Sequence, residues 1–162
     1  GGGEINDLAS DSVARTRFHV SAINPAMIGV LILAHDGLGV ALIASATHML
    51  GHPPENVRAI GVTGTDEPDA ILARARAALR EIDTGTGVLV LTDIFGATPC
   101  NVASRLLERG RVEGVSGVNL PMLMRVLTYC GGGLEALVAK ARSGGTEGVV
   151  HMNDDCCSDA KR

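Results

Sequence analysis

An imidazole and a carboxylate each follow an apolar run long enough to form a buried strand. His35 follows residues 27–34, and Asp93 follows residues 87–92. Runs that are apolar at almost every position are typical of strands buried on both faces, as in a parallel sheet. A carboxylate bound to one imidazole nitrogen would fix the tautomer and leave the other nitrogen free as an acceptor or a nucleophile. This pair is the first candidate for chemistry in the chain.

The segment after Asp93 adds groups that can hold an anion. Residues 96–101 read Gly-Ala-Thr-Pro-Cys-Asn, which predicts a helix with Thr98 as its cap and Pro99 at its first position. Main-chain N–H groups at a helix N-terminus, together with a threonine hydroxyl, can bind a phosphate. A nucleophilic histidine, an orienting aspartate and such a loop suggest phosphoryl transfer through histidine. The candidate phosphoryl-binding residues are Thr98, Cys100 and Asn101.

Each of these residues also has an ordinary structural interpretation. A histidine at the end of a strand is more often a structural hydrogen-bonding residue, Asp93 could stabilise a turn, and Thr98 could simply begin a helix. The other histidines suggest no chemistry. We interpret His19 as exposed, His48 and His52 as surface or boundary residues, and His151 as part of the tail.

Strand and helix patterns alternate along the chain, which predicts an α/β fold with a doubly wound, mostly parallel sheet and helices on both faces. In such a sheet the strand ends before His35 and Asp93 are commonly neighbours at the topological switch point. The predicted strands are 27–34, 57–62, 87–92 and 112–118, with a short last strand at 148–150. The predicted helices are 38–50, 69–82, 98 to about 109, 121–127 and 134–142.

Composition narrows the class of protein. The chain has 162 residues, which fits one domain, and only 2% are aromatic, which argues against base-stacking surfaces. The net charge of −4 provides no basic footprint for nucleic acid. No apolar run approaches the roughly 20 residues that span a bilayer, and the N-terminus lacks a secretory pattern. We therefore expect no nucleic acid, no membrane insertion and a cytoplasmic location.

The four cysteines match neither a CxxC pair nor a zinc ribbon. We interpret them as thiols in a reducing cytosol, and we expect no metal and no cofactor. Along the chain we expect an N-terminal extension at 1–26, a phosphotransfer domain at 27–152 and a polar tail at 153–162.

Three segments together resemble a known family. They are residues 32–37 (Ile-Leu-Ala-His-Asp-Gly), residues 88–104 around Asp93, and residues 117–123 (Gly-Val-Asn-Leu-Pro-Met-Leu). In order and spacing they are similar to the IIA component of the mannose-type sugar phosphotransferase system (PTS), over roughly residues 27–152. The second and third segments carry most of the specificity.

The resemblance implies that His35 accepts a phosphoryl group from the phosphocarrier HPr and passes it to a IIB component. Asp93 then matches the aspartate that contacts the active histidine, and Thr98 lies where the family has Ser or Thr near the phosphoryl group. The loop 119–122 would border the site. The family is usually dimeric, so we expect a homodimer, with the segment 148–150 as an antiparallel last strand that protomers can exchange.

Apolar residues around the site are the expected docking surface for HPr. They are Leu38, Ile94, Phe95 and Met122. Since aromatic residues are scarce, Phe95 could equally be part of the core.

One residue departs from the family pattern. Asp36 follows His35 directly, where the family often has Gly or another small residue. A carboxylate facing the site would repel a phosphate, so we expect Asp36 to point away and to cap the first helix.

Alternative functions share part of this chemistry. A regulatory IIA protein would use the phosphorylation of His35 as a signal to a kinase or a transcription regulator, and a dihydroxyacetone kinase has a related phosphodonor subunit. A receiver domain with Asp93 as phosphoacceptor needs an acidic pair after the first strand and a lysine late in the sheet. Lys140, the only lysine of the core region, falls within a predicted helix.

Nucleotide-binding glycine motifs are missing, and the sequence does not indicate the sugar.

Overall fold

A computed structural model of the chain describes residue 24 and residues 26–155. Its elements follow the predicted alternation of strands and helices. In chain order they are β1 (Gly29–His35), α1 (Leu38–Leu50), β2 (Val57–Val62), α2 (Pro68–Ile82), β3 (Val88–Thr92), α3 (Thr98–Ser104), β4 (Val112–Ser116), α4 (Leu120–Tyr129), α5 (Leu134–Glu147) and α6 (Met152–Asp155).

The four strands form one parallel sheet in the order β2-β1-β3-β4. Strand β1 pairs with β2 on one side and β3 on the other, so it is central, and its residues 29–34 are all buried. The order reverses between β1 and β3, which is the switch point of a doubly wound sheet. The predicted α/β class with a doubly wound sheet is confirmed.

Alternate residues of each strand point to opposite faces of the sheet. Helices cover both of these faces. On one face Ile32 of β1 belongs to the same core as Leu123 of α4 and Leu137 of α5. On the other face Leu33 shares a core with Ile71 of α2 and Val102 of α3. The aliphatic core is therefore split into two layers with β1 and β3 between them.

Helix α3 is shorter than predicted. It ends at Ser104, whereas the sequence pattern predicted a helix to about residue 109. Beyond it, Glu108 exchanges two main-chain hydrogen bonds with Val112, 3.0 and 2.8 Å long. These bonds occupy groups that a longer helix would have used, and they turn the chain back into β4.

The predicted last strand at residues 148–150 is not confirmed, because the described chain has no strand there. The Gly148 N–H donates to the carbonyl of Gly144, and the Val149 N–H donates to that of Thr146. Because helix α5 uses both of these donors, they cannot join a sheet ladder. The described sheet consequently has no antiparallel strand.

Most of the predicted N-terminal extension (1–26) and of the polar tail (153–162) lies outside the described residues. The short helix α6 occupies the boundary between the domain and the tail, and His151 before it is exposed and bonded to Asp154 at 2.8 Å. Within the described chain, no helix combines the length and the apolar character that a membrane span requires.

Candidate functional site

His35 and Asp93 meet at the carboxyl edge of the sheet. His35 is the last residue of β1, and Asp93 directly follows β3, which pairs with β1. The Nδ1 atom of His35 lies 2.7 Å from Oδ2 of Asp93. The sheet thus brings together the two side chains that the strand pattern placed at its edge.

The Asp93 carboxylate accepts three hydrogen bonds. Oδ2 accepts from the main-chain N–H of His35 at 3.0 Å as well as from its ring, and Oδ1 accepts from the N–H of Ile94 at 3.0 Å. Burial raises the pKa of Asp93, but the main-chain and ring hydrogen bonds from His35, its charge and the Ile94 bond together bring the pKa below its ordinary value. Asp93 is therefore an ionised carboxylate at neutral pH.

An ionised carboxylate can only accept, so the proton of a neutral His35 ring lies on Nδ1. The other ring nitrogen, Nε2, then has a free lone pair. The His35 side chain is 46% exposed, while that of Asp93 is only 11% exposed. The pair combines an anchored carboxylate with an accessible nucleophilic nitrogen.

The main-chain bond between His35 and Asp93 is a contact that the sequence did not reveal. No pattern of residue types signals it, because the donor is a backbone N–H. It depends on the register of β1 beside β3, which places the last amide of β1 opposite the carboxylate.

A tight turn follows the histidine. Asp36 has φ 47°, in the left-handed region that L residues seldom adopt. Its N–H donates to the Val62 carbonyl at 3.0 Å, and its own carbonyl lies against Gly61, where a side chain would collide with it. Helix α1 has Gly37 as its N-cap and no side-chain cap, so the expectation that Asp36 caps this helix is wrong.

The loop after Asp93 leads into the first turn of α3. The N-cap of α3 is Ala97 and Thr98 is its first residue, so the prediction that Thr98 is the cap is wrong. Thr98 is exposed and Cys100 is half-buried. Asn101 donates from Nδ2 to the Gly96 carbonyl at 3.4 Å, which braces the loop.

Three of the four predicted docking residues are on the surface. Leu38 is 41% exposed, Ile94 58% and Phe95 86%, so Phe95 is not a core residue. Met122 is only 4% exposed and packs in the core with α4. The prediction that Met122 belongs to an accessible docking surface is wrong.

The segment after β4 also reaches the carboxyl edge of the sheet. The Thr92 carbonyl accepts from the N–H groups of Gly117 and Val118, at 2.9 and 3.0 Å. Asn119 then caps α4, accepting from the Met122 N–H at 2.9 Å, and donates to the Gly145 carbonyl at 3.0 Å. These bonds tie α4 and α5 to the strand that carries Asp93.

Metal ligands do not gather at this edge. In the part of the chain that the structure describes, no group of three or more His, Cys, Asp or Glu side chains is arranged to hold a metal ion.

Comparisons with known proteins agree on one family. Residues 29–142 match the family model EIIA-man, described as the PTS system fructose IIA component. The chain is 34% identical over 125 residues to the PTS system mannose-specific EIIAB component of Escherichia coli (strain K12), a match that covers 75% of this chain and 38% of that protein. The chain therefore spans well under half the length of that relative.

In two further comparisons the match covers most of the relative's length. The chain is 34% identical over 103 residues to the PTS system fructose-specific EIIA component of Bacillus subtilis (strain 168), covering 63% of this chain and 70% of that protein. Its fold matches the crystal structure of phosphotransferase system component EIIA from Streptococcus agalactiae, with a TM-score of 0.68 and 29% identity, over 79% of this chain and 99% of that chain.

Proposed function

Because this chain belongs to the EIIA-man family of PTS components, we propose that it carries a phosphoryl group on Nε2 of His35. The contact between His35 Nδ1 and Asp93 Oδ2, 2.7 Å long, is the observation that carries the proposal. It directs the free lone pair to the nitrogen that solvent and a partner protein can reach.

The chemical step needs only the imidazole as acceptor. The Nε2 lone pair attacks the phosphorus of the donor, the phosphorus–nitrogen bond of the donor breaks, and the donor imidazole leaves with the electron pair. The proton on Nδ1 stays in its hydrogen bond to Asp93, whose negative charge offsets the positive charge of the phosphorylated ring. Transfer to the acceptor reverses these steps.

Two protein partners complete the proposal. HPr is the donor and a IIB component is the acceptor, and the name of the Escherichia coli relative, an EIIAB component, supports a partner of the B type. We place the exchange in the cytoplasm between protein surfaces, with the chain acting as a homodimer. The exposed Leu38, Ile94 and Phe95 provide an apolar rim that such partners could cover.

The phosphoryl group would also contact the loop after Asp93. The Thr98 hydroxyl is exposed at the start of α3 and can donate to a phosphoryl oxygen. Asn101 supports this role by holding the Gly96 carbonyl, and Cys100 is half-buried in the first turn of α3. Of the three predicted phosphoryl-binding residues, Thr98 is the one we assign to direct contact.

Labelling from radioactive phosphoenolpyruvate through enzyme I and HPr tests the proposal. We expect the wild-type chain to incorporate label, His35→Ala to incorporate none, and the control His52→Ala to match the wild type. The label should be acid-labile and alkali-stable, as phosphohistidine is. Equal labelling of His35→Ala, or an acid-stable label of the kind expected from a receiver aspartate, would overturn it. Onward transfer to a IIB protein distinguishes a transport component from a regulatory one.

A further inference from the structure

A groove bordered by arginine residues runs along one side of helix α2. Its walls are α2 and the segment 105–111, which connects α3 to β4. Arg76 and Arg80 border the groove from α2, and Arg105 and Arg111 border it from the connecting segment. We call this surface the arginine groove. Four guanidinium groups thus meet on one surface of a chain whose net charge is −4.

Ion pairs across the groove use the arginines at its two ends. Nη1 of Arg105 lies 2.9 Å from a carboxylate oxygen of Asp69, in the first turn of α2. Nη2 of Arg111 lies 3.4 Å from a carboxylate oxygen of Asp83, the C-cap of the same helix. Because a helix rises about 1.5 Å per residue, the two pairs are about 20 Å apart along α2. Carboxylates of this chain therefore balance the charge at both ends of the groove.

The two arginines in the middle of the groove have no such partner. Arg76 and Arg80 are exposed, and within the described chain neither forms an ion pair or a side-chain hydrogen bond. They are four residues apart on one helix face, where two like charges repel each other. Glu108 also lines the groove, but its carboxylate lies 4.0 Å from Arg111. Two positive charges therefore stay unbalanced between the ends.

The floor between the charged walls is apolar. Leu79 is half-buried and Leu106 is buried, while Leu107 is 46% exposed. A small anion would leave this apolar surface in water, whereas a protein segment covers it and also brings carboxylates to the guanidinium groups. Nucleic acid fits less well, because the described residues of the groove include no aromatic ring and only two unbalanced positive charges.

The edge of the sheet that carries His35 has the opposite charge. Its four loops, 36–37, 63–67, 93–97 and 117–119, contain four Asp or Glu residues and no Lys or Arg. None of these loop residues lines the arginine groove. An acidic protein segment is repelled by this edge and attracted to the groove. Charge therefore directs an acidic partner to a surface that is separate from the histidine.

We propose that the arginine groove is the docking surface for an acidic segment of a partner protein. The segment carries two carboxylates about one helical turn apart, which pair with Arg76 and Arg80, and an apolar residue beside them that covers Leu107. A carboxylate can accept two parallel hydrogen bonds from one guanidinium group, which favours this pairing over a neutral amide. Docking leaves His35 accessible and does not depend on the proposed function.

Titration of the ¹⁵N-labelled full chain with a synthetic acidic peptide tests this surface. The probe is a capped peptide of three Glu-Leu-Ala-Ala repeats, because its carboxylates recur at the spacing of the two arginines. The control peptide has Gln in place of each Glu. We expect saturable amide shifts at Arg76, Leu79, Arg80 and Leu107 with the Glu peptide. The Gln peptide should bind about 5-fold or more weakly, and added NaCl should weaken only the Glu peptide.

Three variants locate the binding. The double variant Arg76→Gln/Arg80→Gln should raise the Kd for the Glu peptide about 5-fold or more. Arg74→Gln is the matched control, because it removes an exposed arginine of the same helix that does not line the groove, and it should keep the wild-type Kd. His35→Ala should also bind the peptide like the wild type, so failure of this surface and failure of the proposed function can be told apart.

Four results would overturn the proposal. The first is the absence of saturable shifts in the groove with the Glu peptide. The second is an equal Kd for the two peptides, or for the wild type and the double variant. The third is saturation of the same residues by inorganic phosphate at the peptide's concentration, which would make the groove a small-anion site. The fourth is self-association in sedimentation that the double variant abolishes, which would assign the groove to a second copy of the chain.

Discussion

Oδ2 of Asp93 lies 2.7 Å from Nδ1 of His35 and 3.0 Å from the main-chain nitrogen of the same residue. One carboxylate oxygen therefore holds both the ring and the backbone of the histidine. The end of β1 and the orientation of the imidazole are set together, so a disturbance at Asp93 should reach both.

Asp93→Asn should slow phosphorylation of His35. An asparagine amide can donate to Nδ1, which moves the ring proton to Nε2 and removes the lone pair needed for attack. It also removes a charged hydrogen-bond partner worth about 1.5–3 kcal/mol, equivalent to a rate loss of about 10- to 150-fold. Single-turnover transfer from phospho-HPr measures this. Asp69→Asn, which removes an exposed carboxylate bound to Arg105, should keep the wild-type rate. Wild-type kinetics in Asp93→Asn would remove Asp93 from the mechanism.

The stability of the fold should depend on Asp93 in acid. Its folded-state pKa lies below the ordinary value of 3.8, so the unfolded chain takes up the proton first as pH falls. The stabilisation is fully present above about pH 5 and is lost as pH falls through 3.8 towards the folded-state pKa. Urea unfolding at a series of pH values should therefore show a shallower acid decline for Asp93→Asn than for the wild type. Parallel curves would contradict this assignment.

Gly61→Ala should disturb the turn after the histidine. A methyl group at this position would collide with the main-chain oxygen of Asp36, which is held by its left-handed conformation and its bond to Val62. We expect the free energy of unfolding to fall by about 1–3 kcal/mol. Gly64→Ala is the matched control, because nothing lies within 4 Å of its new methyl group. It should change stability by no more than about 0.5 kcal/mol. Equal effects of the two variants would show that the turn can relax.

Phe95→Ala and Met122→Ala should separate docking from packing. Phe95 is exposed, so its removal should raise the KM for phospho-HPr by about 5-fold or more and change the free energy of unfolding by about 0.5 kcal/mol at most. Met122 is buried, so its removal should lower the free energy of unfolding by about 2–5 kcal/mol. Steady-state transfer and urea unfolding measure the two effects. An unchanged KM in Phe95→Ala would exclude this residue from the docking surface.

Residue patterns alone were sufficient to predict the central strands and the parallel sheet of the fold. Uninterrupted apolar runs indicated β1 and β3 as doubly buried strands, and the alternation with helices indicated a parallel sheet. Because parallel strands end at the same edge, His35 and Asp93 could be expected to meet before any contact was known.

Other features depended on which main-chain groups nearby in the chain formed hydrogen bonds. The end of α3 was mispredicted because Glu108 bonds to Val112 instead of continuing the helix. The segment 148–150 has the apolar residues of a strand, but the amides of Gly148 and Val149 bond to carbonyls of α5. In both cases the residue types were compatible with either structure, and the available hydrogen-bond partners decided between them.

Around the site, too, some features could be predicted from the sequence and others could not. The sequence by itself determined which residue types stand at the ends of the central strands, and therefore that a histidine and an aspartate could meet there. Only the tertiary structure decided that Phe95 is exposed and that Met122 is buried. A local pattern records how apolar a segment is. Which face of that segment meets another element depends on packing between parts of the chain that are distant in sequence.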